Sequence, residues 1–167
     1  MISAEIPEAL VSIKGRRVTL IGVGNSLRGD DGFGPALVQA LRVYEPRLGW
    51  TLIDAGTAPE NFTATVRRSE PEIIVIADCG ELRADPGFVR IAKADDLAGG
   101  GLSTHTPSLA LIAGIWRDDL GAEVYVLAIQ PKQVAFGEGL SPAVQEGVKV
   151  LVEAIVRAAG EQDGTAE

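Results

Sequence analysis

Gly22-Val-Gly-Asn-Ser-Leu-Arg-Gly-Asp-Asp-Gly-Phe-Gly34 is the stretch that decides the fold, because it sets two adjacent carboxylates in a glycine-rich turn directly after an apolar strand. The preceding run, Arg17-Val-Thr-Leu-Ile-Gly-Val23, is apolar and β-branched, as in a strand covered on both faces. Beyond the turn, Pro35 suits the first turn of a helix, and apolar residues recur at helical spacing. The stretch predicts strand, turn and helix. Asp30 and Asp31 then fall at the carboxyl end of the strand, where α/β proteins gather their functional groups.

Further strands follow along the chain. The continuous apolar run Glu72–Asp78 predicts the centre of a parallel sheet, and Glu123–Ile129 predicts another buried strand. One strand is predicted to end at Asp54. Phe88–Ala92 has a charged residue at its middle, which favours a position at the sheet edge.

Helix-like segments separate these strands. One is predicted to end at Arg68, one to begin at Pro107, and the last to begin at Ser141-Pro142. Strands and helices together predict a single-domain α/β protein, with a twisted, mostly parallel sheet of about five strands and helices on both faces. We expect the domain to span residues 17–159, between an N-terminal extension (1–16) and a polar tail (160–167).

Composition restricts the class of partner. The chain has 167 residues, 46% of them hydrophobic, which suits one domain with a real core. A net charge of −8 argues against nucleic acid or an anionic membrane surface as a partner. With neither a membrane-spanning stretch nor a signal peptide evident, we expect a cytoplasmic protein. The single cysteine, Cys79, excludes an internal disulfide and a multi-cysteine metal cage.

Carboxylates recur at the predicted strand ends. Asp30, Asp31, Asp54 and Asp78 all lie at such positions, and the only histidine, His105, lies in a loop able to reach the same edge. Adjacent strands are about 4.8 Å apart, so Asp31, Asp78 and His105 could share one ion. Two carboxylates and one imidazole suit Zn²⁺ or Ni²⁺ and leave coordination positions open for a substrate oxygen or a water.

Simpler interpretations exist for each residue taken alone. An Asp after a strand is often a turn residue or a helix N-cap, and His105 could merely introduce a helix. Cys79 reads as a small buried hydrophobic residue rather than a nucleophile. Dinucleotide binding is not supported, because Leu27 stands where a third glycine is required and the turn carries two negative charges.

Together, these residues resemble, in order and spacing, the [NiFe]-hydrogenase maturation endopeptidases. The resemblance runs from about residue 17 to residue 155. It rests on Gly24-Asn-Ser-Leu27, Gly29-Asp-Asp-Gly32 with Gly34, Asp54 with Gly56-Thr57, Asp78, and Ser103-Thr-His105. The branch that processes the large subunit of formate-hydrogenlyase-type hydrogenases is indicated by further matches at Thr57-Ala-Pro-Glu-Asn61, Thr104-His105 and Ile129-Gln-Pro131.

The resemblance implies an aspartic-type endopeptidase that removes a C-terminal extension from the hydrogenase large-subunit precursor after nickel insertion. The family's metal-contacting and catalytic positions map to Asp31, Asp78 and His105. Supporting positions map to Asn25, Asp30, Asp54, Gly56 and Thr57. The implied metal is nickel carried by the precursor, with no nucleotide, and a monomer is the simplest expectation.

A mechanism follows from this assignment. Three oxygen-rich ligands hold nickel weakly, so the precursor's own thiolates are expected to supply the ion, and only a loaded precursor would complete the site. Asp30, Asp31 or Asp78 would assist a water, or the metal would polarise the carbonyl.

Two other functions remain open. The same ligands could serve a non-catalytic nickel-sensing chaperone. A receiver-like phosphoacceptor domain would use Asp30 with Asp31, Asp78 and Lys132, although Lys132 follows its proline instead of preceding it.

Overall fold

The computed structural model describes residues 2–3, 5–99, 102–104, 106, 108–137 and 139–160. Its strands are β1 (Val18–Val23), β2 (Thr51–Gly56), β3 (Ile73–Glu81), β4 (Val89–Lys93), β5 (Ser103–Thr104) and β6 (Glu123–Ile129). Its α-helices are α1 (Glu5–Ile13), α2 (Phe33–Leu41), α3 (Glu45–Leu48), α4 (Thr63–Arg68), α5 (Leu109–Leu120) and α6 (Pro142–Gly160). Short 3₁₀ helices cover Gly29–Gly32, Arg42–Tyr44, Pro59–Phe62 and Ala94–Gly99. None of the described helices is both long and apolar enough to cross a membrane.

The strands form one mixed sheet in the order β2-β1-β3-β6-β4. Strands β2, β1, β3 and β6 are parallel, and β4 runs antiparallel to β6 at the edge. The parallel sheet with β3 inside it and the edge position of β4 are therefore confirmed. The two-residue strand β5, which pairs antiparallel with the end of β3, was not predicted.

Two strands continue past the carboxylates at which the sequence predicts them to end. β2 runs two residues beyond Asp54, and the carbonyl of its last residue, Gly56, accepts a hydrogen bond from the amide of Gly24 (2.8 Å). β3 runs three residues beyond Asp78, because Gly80 and Glu81 pair with β5. The predicted ends were wrong since a strand continues while its backbone groups find partners, and those partners are distant in sequence.

Each face of the sheet is covered by its own apolar core. On one face α1, α2 and α6 pack over sheet residues such as Leu20 and Val75. On the other face α4 and α5 pack over residues such as Ile21 and Ile76. Alternate residues of the buried strands thus serve opposite cores, which explains their continuous apolar runs.

The N-terminal residues join the first of these cores. α1 buries Ile6, Leu10 and Ile13 there, and the amide of Ser3 donates to the carbonyl of Val89 on β4 (2.8 Å). The N-terminal extension therefore contains a helix whose apolar face is buried against the sheet. At the other end, the polar residues 161–167 lie outside the described residues, as does Pro107 at the predicted start of α5.

Candidate active site

The turn after β1 depends on glycines that let three backbone segments meet. A Cβ on Gly34, in the first turn of α2, would lie 2.5 Å from the carbonyl oxygen of Ala77 on β3. A Cβ on Gly24 would collide with the carbonyl oxygen of Asp31, and the φ of +140° at Gly24 also favours glycine. α2 consequently begins against the carboxyl ends of β1 and β3, and Asp31 lies just before it in the 3₁₀ helix.

Asp31 is half-buried, and the backbone of the turn orients its carboxylate. The amide of Asn25 donates to Asp31 Oδ2 (2.8 Å). The side chain of Asn25 accepts, at Oδ1, a hydrogen bond from the amide of Leu27 (2.9 Å), which closes a local turn. Asn25, predicted as a supporting residue, therefore shapes the turn that holds Asp31.

Asp78 lies on the neighbouring strand and is fully buried. β1 and β3 are adjacent and parallel, with Gly22 opposite Ala77, so Asp78 comes to the same edge as the turn. The amide of Cys79 donates to Asp78 Oδ1 (2.8 Å). The strand order thus brings Asp31 and Asp78 to one edge of the sheet, as expected from the sequence.

Burial and the surrounding carboxylates both raise the pKa of the Cys79 thiol. Its burial is the largest cause that raises the pKa of this thiol above the ordinary value of 9.0, and negative charges raise it further. Those charges belong, in order of effect, to Asp78, Asp31, Asp30 and Glu81. Because the thiolate is the nucleophilic form, Cys79 is a small buried side chain and not a nucleophile.

His105 lies outside the described residues, so its predicted place beside Asp31 and Asp78 remains a prediction. The residue before it, Thr104, pairs with Gly80, which is two residues after Asp78. Among the described residues, no group of three or more His, Cys, Asp or Glu side chains is arranged to hold a metal ion. The structure therefore describes two of the three predicted ligands.

Asp30 has a different environment from its neighbour Asp31. It is fully buried, and its carboxylate joins the turn to the loop between β6 and α6. Oδ2 accepts hydrogen bonds from the amides of Lys132 (2.8 Å) and Gln133 (3.1 Å) and from Ser141 Oγ (2.9 Å), while Oδ1 accepts one from the Ser141 amide (2.7 Å). A carboxylate enclosed in this way is placed to hold the loop and not to activate a water.

Asp54 is exposed on β2 and lies to the side of the turn. Its Oδ1 accepts a hydrogen bond from the amide of Gly56 (3.1 Å), and Thr57, the next predicted supporting residue, is exposed. Asp54 also lines a groove of about 280 Å³, together with Gly32 and Leu140. Gly56 and Asp54 therefore lie beside the turn after β1.

Gln130 and Ser141 were not predicted as site residues. Gln130 is buried. Its side-chain Oε1 accepts a hydrogen bond from the backbone amide of Leu82 (2.7 Å), and its backbone amide donates to the carbonyl of Phe88 (2.8 Å). It thereby fastens the connection between β3 and β4. For Gln130, the signal in the sequence was a polar residue directly after the apolar run of β6. For Ser141 there was no local pattern, because its hydrogen bond to Asp30 joins residues 111 apart.

Comparisons with known proteins agree with this architecture. A family model described as hydrogenase maturation protease matches residues 35–158, a range that includes Asp54, Asp78 and His105 but begins after Asp31. The chain is 34% identical to the hydrogenase 3 maturation protease of Escherichia coli K12 over 135 residues, which cover 80% of this chain and 85% of that protein.

Solved structures show the same fold. An endopeptidase from Escherichia coli, solved in solution, matches with a TM-score of 0.74 and 31% identity, over 86% of this chain and 90% of that one. A [NiFe] hydrogenase maturation protease from Thermococcus kodakarensis, 23% identical, shares the fold with a TM-score of 0.82 over 92% of this chain and 99% of that one.

Proposed function

Because the chain belongs to the hydrogenase maturation protease family, we propose that it is an endopeptidase that removes the C-terminal extension of a [NiFe]-hydrogenase large-subunit precursor after nickel insertion. The observation that carries the proposal is the arrangement of Asp31 and Asp78. Asp31, in the 3₁₀ helix after β1, and Asp78, on the adjacent strand β3, come to the same edge of the sheet, and in each carboxylate one oxygen accepts a hydrogen bond from a backbone amide. Such preorganised carboxylates suit recognition of a cation and hydrolysis beside it.

Nickel is the cargo of the proposed substrate and not a resident cofactor. Two carboxylates from this chain, with His105 as the proposed third ligand, form a donor set rich in oxygen, which binds Ni²⁺ less well than nitrogen or sulfur ligands do. The precursor's thiolates would therefore bring the ion, and this chain would complete its coordination. Recognition would then require a loaded precursor, so that cleavage follows metal insertion.

The hydrolytic step needs a base that reaches a water molecule at the scissile carbonyl. Asp30 is enclosed by the donors of the β6–α6 loop, which leaves Asp31 and Asp78 as the candidates. Asp31 is half-buried, whereas Asp78 is fully buried. We therefore assign the water-activating role to Asp31, in addition to its place in the donor set, and the role of ligand alone to Asp78.

The cognate precursor is proposed to belong to the formate-hydrogenlyase type. The support is the similarity to the hydrogenase 3 maturation protease of Escherichia coli and the match at Ile129-Gln-Pro131. Gln130 of that motif holds the connection after β3, the strand that carries Asp78. The motif thus supports the site, although it does not contact the two carboxylates in any described hydrogen bond.

A nickel-sensing chaperone that binds the precursor without cutting it is the alternative, since recognition and cleavage would use the same ligands. Membership of a family of peptidases does not support the receiver-like interpretation. Product formation distinguishes the chaperone from the peptidase.

The experiment that tests the proposal compares nickel-loaded and nickel-free large-subunit precursors. Each is incubated with the purified protein, and release of the C-terminal extension is followed by intact mass spectrometry. We expect cleavage of the loaded precursor alone. If a precursor that a known processing enzyme cleaves is bound but left intact, the chaperone is the correct function.

Site variants test the assigned residues. Asp31→Asn, Asp78→Asn and His105→Ala are each expected to lower the rate of cleavage by at least about 100-fold, because each removes a ligand or the base. Asn at position 78 can still accept the Cys79 amide hydrogen bond, so the fold should persist. Asp119→Asn, at an exposed position on α5, is the matched control. Wild-type rates in all three site variants would exclude the shared site.

A further inference from the structure

Two large apolar side chains lie exposed beside the candidate site. Leu27, in the turn after β1, is 62% exposed, and Phe136, in the β6–α6 loop, is 76% exposed. The amide of Gly137, next to Phe136, donates to the carbonyl of Leu27 (2.8 Å), which joins the two loops at this point. We call Leu27 and Phe136 the apolar rim.

The apolar rim is held in place before any partner arrives. Asp30 fastens the same two loops a few residues away, through three amides and one hydroxyl of the β6–α6 loop. In addition, the amide of Asp30 donates to the carbonyl of Gln133 (2.9 Å). Binding to a surface that is already ordered loses less conformational entropy.

The rim is also connected to the candidate active site. Leu27 donates to the side chain of Asn25, and Asn25 donates to the carboxylate of Asp31, so two hydrogen bonds separate the rim from that carboxylate. An extended chain advances roughly 3.3 Å per residue. A polypeptide held at Asp31 and running toward this loop would therefore reach the rim within a few residues of the bond to be cut.

We propose that the apolar rim docks an apolar segment of the hydrogenase large-subunit precursor close to the scissile bond. This inference rests on the proposed function, and it adds the chemistry that selects the substrate chain. The rim is continuous with the site that the precursor must enter, which favours the precursor as its occupant. Two copies of this chain would each carry a net charge of −8 and repel each other, so self-association through this surface is less favourable.

The test compares wild-type protein with Leu27→Ser, Phe136→Ser and the double variant. The matched control is Val43→Ser, because Val43 is 78% exposed and lies after α2, away from the turn. KM and kcat are measured for cleavage of the nickel-loaded precursor. Since the rim contributes binding and no reacting group, the double variant should raise KM about tenfold with kcat nearly unchanged, and Val43→Ser should change neither.

A conservative variant separates apolar contact from loop structure. Phe136→Leu keeps an apolar side chain, so its KM should stay near the wild-type value, whereas Phe136→Ser should raise KM. An unchanged KM in the double variant, or an equal loss in Phe136→Leu and Phe136→Ser, would overturn the proposal.

A binding measurement keeps the two proposals distinguishable. Affinity for the loaded precursor is measured by biolayer interferometry, independently of cleavage. If the wild type binds the loaded precursor without cleaving it, and the double variant binds more weakly, the rim remains a docking surface and the peptidase function is excluded. Absence of binding by the wild type would remove both. A dimer in sedimentation velocity that the double variant loses would assign the rim to a second copy and overturn the proposal.

Discussion

Asp30 and Asp31 are adjacent in sequence but have separate roles in the structure. The carboxylate of Asp30 points into the protein and accepts four hydrogen bonds from the β6–α6 loop, whereas that of Asp31 is half-buried and bonded to the turn itself. Hydrogen bonds to an ionised acceptor are stronger than neutral ones. Asp30 is therefore the residue that fixes the position of the loop relative to the turn after β1.

Replacing Asp30 tests this structural role. Asp30→Ala would leave the amides of Lys132, Gln133 and Ser141 without their acceptor, and we expect a loss of about 3 kcal/mol in the free energy of unfolding, measured with urea. Ser141→Ala is the graded comparison, since it removes one hydroxyl donor to Asp30 and should cost about 1 kcal/mol. Equal stability of Asp30→Ala and wild type would show that the loop is held by other contacts.

At the scale of elements, the site exists because α2 approaches β1 and β3 closely enough to place its preceding turn over their ends. The approach depends on Gly34, whose missing side chain leaves room for the backbone of β3 at Ala77. A neighbouring backbone atom cannot move aside as the end of a flexible side chain can. The sequence near the turn is therefore rich in glycine for packing as well as for turn conformation.

Two glycines in helices make a matched pair of substitutions. Gly34→Ala would place a Cβ 2.5 Å from the Ala77 carbonyl oxygen, and we expect a loss of about 2 kcal/mol or more in the free energy of unfolding. Gly114→Ala, within α5, would meet only the end of Arg117 at 3.9 Å, and we expect a gain of about 0.5 kcal/mol from helix propensity. Thermal and urea unfolding of both variants measures the difference. Similar effects of the two substitutions would contradict the close-packing argument.

On the scale of the whole molecule, the sheet separates two cores, and the N-terminal helix belongs to one of them. α1 lies before the stretch that resembles the family, yet its apolar face is buried with α2 and α6. The apolar residues of α1 therefore contribute to the same core as those of α2 and α6.

Two substitutions on α1 measure that contribution. Ile6 is 1% exposed, so Ile6→Ala should lower the free energy of unfolding by about 3 kcal/mol through lost burial and a cavity. Val11 lies on the same helix at 72% exposure, and Val11→Ala should change stability by less than about 0.5 kcal/mol. If Ile6→Ala unfolds at the same urea concentration as wild type, α1 is dispensable to the core.

The sequence alone determined the alternation of strands and helices, the parallel sheet and the carboxylates at its edge, because these follow from local hydrophobic period and from the positions of glycine and aspartate. β6 and the start of α6 were predicted at their observed residues, Glu123–Ile129 and Pro142. Tertiary structure alone decided that β2 and β3 continue past Asp54 and Asp78, that β5 exists, and that Asp30 holds a loop. These features depend on backbone partners and on hydrogen bonds between residues as many as 111 positions apart, for which no local pattern in the sequence exists.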